Sequence, residues 1–231
     1  MKKILFISIV FALAVFACKH EPLLPIGPKD PIPRDTLPNG SSNVCFTRDV
    51  LPIFVSYCAR QGCHDNITHE GDFILDSYDN IIRKDFKQGN ANETKIYKVL
   101  IATNPEDIMP PPGNLQLTQS QKDLIKQWIN EGGRNTTCTT TCDSSLFTYS
   151  GFVQPLLQKN CNGCHNTTNP AGGIDLTAFA VVKSYALNGK LYGSISHSPG
   201  YIAMPPTLTS KLSDCEITQV KKWIDAGAPQ N

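Results

Sequence analysis

The stretch Cys161-Asn-Gly-Cys164-His165 (CNGCH) and its longer counterpart Cys58-Ala-Arg-Gln-Gly-Cys63-His64 (CARQGCH) decide how this chain is read. In the first, cysteines three apart put both sulfurs on one face of a helical turn, beside an imidazole. In the second, two extra residues intervene. Cysteines five apart on an ideal helix point about 140° away from each other, so Cys58 and Cys63 cannot share one turn. Ala59-Arg60-Gln61-Gly62 must bulge, and Gly62 can take the dihedrals that a return to register requires.

Around these motifs the chain repeats. Lys95-Ile96-Tyr97 and Lys190-Leu191-Tyr192 are offset by 95 residues. The same offset relates Met109-Pro110-Pro111 to Met204-Pro205-Pro206, Leu117 to Leu212, Trp128-Ile129 to Trp223-Ile224, and Gly132 to Gly227. After a small gap, Leu75 and Tyr78 align with Leu176 and Phe179, and Pro52 and Pro155 each lie six residues before the first cysteine of their motif. This is a duplication of units of about 90 residues. The boundary falls in the polar run around Cys138 and Cys142, giving domains at 45–138 and 142–231.

Each unit opens with an amphipathic segment, Phe46 to Tyr57 or Leu146 to Asn160, that runs into its cysteines. Short helices are expected near Tyr78 to Lys87 and at Phe179 to Leu187. A Met-Pro-Pro loop and a closing helix follow. Thr118 with Gln121, and Ser213 with Glu216, form capping-box patterns ahead of apolar residues at helical spacing. Leu124, Ile125, Trp128 and Ile129 line one face of the first closing helix; Val220, Trp223 and Ile224 line one face of the second. Gly132 and Gly227 sit where C-terminal stops belong. Period-2 patterns are weak throughout, so the expected fold is mainly α.

The segment 1–17 reads as a secretory signal, with Lys2 and Lys3 before an apolar run from Ile4 to Ala17. That run is short of the roughly 20 apolar residues of a membrane span. It ends Val15-Phe16-Ala17-Cys18, which resembles the bacterial lipobox, and the resemblance implies lipidation at Cys18. Segment 18–44 holds Pro22, Pro25, Pro28, Pro31, Pro33 and Pro38 and reads as an extended tether, at about 3.1 Å per residue where it is polyproline-like. His20 lies in it. The expected location is therefore outside the cytoplasm, anchored to a membrane by lipid. The 21 Lys and Arg against 20 Asp and Glu give a net charge of +1 and are scattered. Nucleic acid is not an expected partner.

In an exported chain, C-x-x-C-H is a specific signature for covalent haem. Thiols on one face can be joined to the vinyl groups along a haem edge, and His165 can ligate the iron. A thioredoxin-like dithiol wants a βαβ setting, and half a zinc site wants two more ligands at short spacing. Neither is present in the sequence. CARQGCH reads as a second haem site through Cys58, Cys63 and His64; the alternative is a degenerate domain with a Cys58–Cys63 disulfide. Only three methionines occur, the initiator, Met109 and Met204, and the last two match across the repeat. Proline on their C-terminal side stiffens a loop able to present a thioether to a fixed point. His and Met together are the ligand pair of electron-transfer cytochromes c.

From Cys45 to Gly227 these residues resemble class I c-type cytochromes, closest to tandem forms carried on bacterial lipoproteins. The resemblance implies two tandem cytochrome c-like domains, each a small helical fold enclosing haem c with one edge exposed. It implies axial ligation by His64 and Met109 in the first and by His165 and Met204 in the second. Longer C-x4-C-H spacings occur in that family. The proline often found soon after the histidine is absent in the first unit and displaced to Pro170 in the second.

The remaining cysteines, Cys45, Cys138, Cys142 and Cys215, allow three pairings. Cys45 opens and Cys138 closes the first unit, Cys142 opens the second and Cys215 lies on its closing helix, so Cys45–Cys138 and Cys142–Cys215 are the expected bridges. His69 and His197 lack counterparts and read as surface residues; Trp128 and Trp223 read as core. The function expected is electron relay between redox partner proteins, without catalysis. Two alternatives stand beside it. One is a dihaem peroxidase-like enzyme, which needs an iron with a free or displaceable ligand position. The other is a haem-poor, disulfide-stapled binding module at the cell surface.

Overall fold

The computed structural model describes residues 44–138, 143, 145–206 and 211–231. The signal, Cys18, the tether up to residue 43, and Cys142 lie outside the described residues. Among the described residues there are eight α-helices and no strands: α1 Leu51–Tyr57, α2 Tyr78–Ile82, α3 Lys95–Leu100, α4 Gln119–Asn130, α5 Gln154–Asn160, α6 Phe179–Leu187, α7 Lys190–Ile195 and α8 Asp214–Asp225. The protein is mainly α, and helices α1–α4 repeat as α5–α8.

Each opening segment begins as a π-helical turn, Phe46–Val50 or Tyr149–Val153, and tightens into α1 or α5. Pro52 and Pro155 sit in the first turn of α1 and α5, where a missing N–H costs nothing. The closing helices α4 and α8 start on complete capping boxes, Thr118 with Gln121 and Ser213 with Glu216. They end alike. Gly132 and Gly227 take positive φ of 99° and 90°. In each unit the next N–H, of Gly133 or Ala228, returns to the carbonyl of Trp128 or Trp223.

Helix α2 stops at Ile82, short of the expected Lys87. The chain turns at Asp85 (φ 51°), whose carbonyl accepts from Lys95 N–H, so the segment caps α3 and does not extend α2. Helices α3 and α7 were not separated from loop in the sequence, because six residues are too few to show a period.

Two apolar clusters form, one per unit. Trp128 is buried against Phe46, at 5.1 Å between ring centroids, and Phe46 meets Tyr78 edge-on at 5.3 Å. Trp223, Tyr149 and Phe179 repeat the arrangement at 5.7 and 4.7 Å. Even the indole donors match: Trp128 Nε1 gives to Arg134 O at 3.0 Å, and Trp223 Nε1 to Pro229 O at 2.9 Å. Cys45 and Cys138 are joined in a disulfide that ties the ends of unit 1. Cys215 is also disulfide-bonded.

The units meet where α1 packs against α5. Tyr57 OH donates to Gln158 O at 2.9 Å, and Lys159 Nζ to Arg48 O at 3.0 Å. Gly163 N donates to Ser56 Oγ at 3.1 Å in a buried contact.

Candidate haem attachment sites

Both cysteine motifs lie at the C-terminal ends of the paired opening helices, so the junction brings them together. The short motif closes as a helical turn: Cys164 N–H and His165 N–H both return to Cys161 O, at 3.0 and 2.9 Å. In the long motif, Cys63 N–H returns to Arg60 O at 2.9 Å, while His64 N–H still reaches Cys58 O at 3.1 Å. The excess is absorbed by a bulge in which Gly62 takes φ 83°. Beyond the histidines the match continues. Glu70 N–H donates to Cys63 O and Ala171 N–H to Cys164 O, both at 2.9 Å, then Leu75 N–H to His64 O and Leu176 N–H to His165 O, at 2.9 and 3.1 Å.

The residue after each histidine organises the following loop, a role that sequence reasoning missed. Asp65 accepts from Gly62 N (3.1 Å), Ile67 N (2.7 Å) and Thr68 N (2.6 Å), fixing the bulge. Those bonds, Thr68's first, hold its carboxyl below the usual carboxylate range. Asn166 accepts from Thr168 N and Asn169 N and donates to Asn162 O and Gly163 O, all at 3.0 Å. An Asp or Asn directly after the histidine of both motifs was the available signal.

The imidazoles differ in surroundings. His64 Nδ1 donates to Glu70 O at 3.0 Å, which supports the ring through a backbone carbonyl although this unit lacks the proline. Burial pulls the His165 pKa below the ordinary imidazole value, against the opposing pull of the Ile174 and Ala171 backbone. Neither of those groups closes a hydrogen bond on Nδ1, which is buried without a partner. The neutral imidazole is the metal-ligating form. Met109 and Met204 sit on matching loops, Met109 N–H on Val99 O at 2.9 Å and Met204 N–H on Ser194 O at 3.0 Å. His197 is half-buried, not a surface residue: its ring donates to Met204 O at 3.3 Å. Because unit 1 has no such histidine, the repeat gave no hint of it. His69 is exposed.

Cys58, Cys63, Cys161 and Cys164 are all free thiols, so the alternative Cys58–Cys63 disulfide is not formed. Burial, then the neighbouring cysteine of each motif, pushes Cys58 and Cys161 up to about 12. Such thiols are poor redox nucleophiles, unlike the depressed cysteine of a thioredoxin-type pair. Among the described residues no three His, Cys, Asp or Glu side chains converge as a metal cage. Two free thiols and one adjacent imidazole per motif, with the half-buried His165 disfavoured in its charged form, fit a covalently held haem. A cavity of about 220 Å³ opens at the junction beside CNGCH, between Tyr57 and Gln116 of unit 1 and Leu157, Asn162 and Leu176 of unit 2.

Comparison with known families adds to this geometry. Residues 61–113 match the family described as Planctomycete cytochrome C, a span containing Cys63, His64 and Met109. Residues 153–224 match the family described as Cytochrome C oxidase, cbb3-type, subunit III, a span containing Cys161, Cys164, His165, Met204 and Trp223. No curated protein and no solved structure matches the chain. Two cytochrome c families, each matched by one repeat, support reading the chain as a c-type cytochrome, a haem c electron-transfer protein.

Proposed function

We propose that the protein is a dihaem relay passing single electrons between partner proteins outside the cytoplasm. One haem is attached through Cys58 and Cys63 with His64 and Met109 as axial ligands; the other is attached through Cys161 and Cys164 with His165 and Met204. Each bound haem supplies a one-electron iron couple. The chain supplies the ligands, the burial and the orientation. The observation that carries the reading is the coincidence of the two loop networks. His64 N–H and His165 N–H close on the first cysteine of their motifs despite the unequal spacing. A motif that had lost its ligand would have no need to return its histidine to register.

The two attachment motifs adjoin across α1 and α5, which favours exchange within the molecule. The Val15-Phe16-Ala17-Cys18 stretch supports a lipid anchor at Cys18. Matched methionines in both units speak against an open iron position and hence against peroxidase chemistry.

The test is the intact mass of the mature protein made with a c-haem maturation system. Two covalent haems are expected, one on a peptide holding Cys58 and Cys63. A single haem on Cys161 and Cys164 would reduce the protein to a monohaem carrier with a haem-free first unit. No haem at all overturns the electron-transfer reading.

A further inference from the structure

The two residues that lengthen CARQGCH do more than bulge. Arg60 leaves its own unit: Nη2 donates to the carbonyl of Asn169 in unit 2, at 3.4 Å. Asn169 belongs to the loop after His165, the loop that Asn166 holds through the Asn169 N–H. The contact joins residues more than a hundred positions apart in sequence, across the line where Gly163 and Cys164 meet Ser56. A guanidinium carries its charge at all working pH values. The shorter CNGCH has no residue corresponding to Arg60, so the arrangement is one-sided.

We propose that the insertion in CARQGCH is a clasp that sets Arg60 against the second attachment site and raises the reduction potential of the haem held there. This rests on reading CNGCH as a haem site. Oxidised iron carries one more positive charge than reduced iron, so a fixed cation nearby disfavours the oxidised form more. The haem of unit 2 then carries a contribution to its potential that no residue of its own motif supplies.

The experiment is a potentiometric titration of the full-length holoprotein at low ionic strength. It compares the wild type with Arg60→Gln, Arg60→Lys and a deletion of Arg60 and Gln61 that restores the two-residue spacing. Met109→His marks the unit-1 wave by drawing it downward, because methionine ligation raises the potential. The unit-2 wave should move down in Arg60→Gln and in the deletion, and stay near wild type in Arg60→Lys. The difference should shrink as salt is added, because the site is partly exposed. A unit-2 wave unmoved by Arg60→Gln overturns the clasp, and so does an equal shift in Arg60→Lys. Intact mass on the same samples separates the failures. Haem present at Cys161 and Cys164 with an unmoved wave sinks the clasp alone, whereas haem missing there removes the reading of CNGCH as a haem site and the clasp with it.

Discussion

Gly62 and Gly163 both precede the second cysteine of their motif, yet they are glycine for different reasons. Gly62 takes φ 83° with nothing within 4 Å of where a Cβ would stand, so only backbone strain opposes a side chain. A Cβ on Gly163 would lie 2.3 Å from the Ser56 carbonyl oxygen, a backbone atom that cannot swing aside. Gly163→Ala should therefore cost about 1–3 kcal/mol as overpacking of the junction. Gly62→Ala should cost about 1–2 kcal/mol as left-handed strain. Urea denaturation of the two variants checks this. Only Gly163→Ala should also disturb packing of α1 on α5, read as altered chemical shifts at Ser56 and Tyr57, and unaltered shifts there would refute the close approach. The positive φ of Gly62 was legible from spacing alone. The steric need for Gly163 was not, because Ser56 approaches from the other unit.

At the scale of elements, the junction of α1 and α5 depends on polar groups that the repeat does not share. Ser56 and Tyr57 on α1 correspond to Lys159 and Asn160 on α5. Tyr57 is buried, and burial raises its pKa above the ordinary phenol value, with the Gln121 side chain pulling the other way. A folded-state pKa above the unfolded one gives stability that is fully present below the unfolded value near pH 10. It is lost as pH rises through the folded value. Tyr57→Phe removes the bond to Gln158 O and should cost about 0.5–1.5 kcal/mol at pH 7. It should also flatten the fall in stability above pH 10, which denaturation at pH 7 and pH 10.5 measures. If wild type and variant fall equally over that range, Tyr57 is not the group responsible. Lys159 adds a second tie, reaching Arg48 O in unit 1 and Glu216 of α8 at 3.6 Å.

For the whole molecule, stability comes from two apolar cores and the covalent links across them. The Cys45–Cys138 bridge spans 93 residues, so nearly all of unit 1 lies inside its loop. Replacing both cysteines by serine should lower stability by about 2–5 kcal/mol, mostly by freeing the unfolded chain. Haem attachment should survive, since neither residue lies in an attachment motif. Intact mass and denaturation on one sample test both halves of that statement. A variant that keeps full stability would mean that the cores alone hold the ends together.

The sequence by itself determined the duplication, the helical class, the capped closing helices with their glycine stops, and the residues that could hold haem. Each of these is a local or periodic property: a capping box needs four residues, an apolar face needs two turns, and a repeat needs only alignment. What it left open was how the units meet. Arg60 on Asn169, Gly163 on Ser56, Tyr57 on Gln158 and, within unit 2, His197 on Met204 O join unlike residues that no period links. Such contacts follow from the shape of two assembled cores. Their free energy is that of fit and desolvation between surfaces that do not exist until both units have folded, so only the tertiary structure decided them.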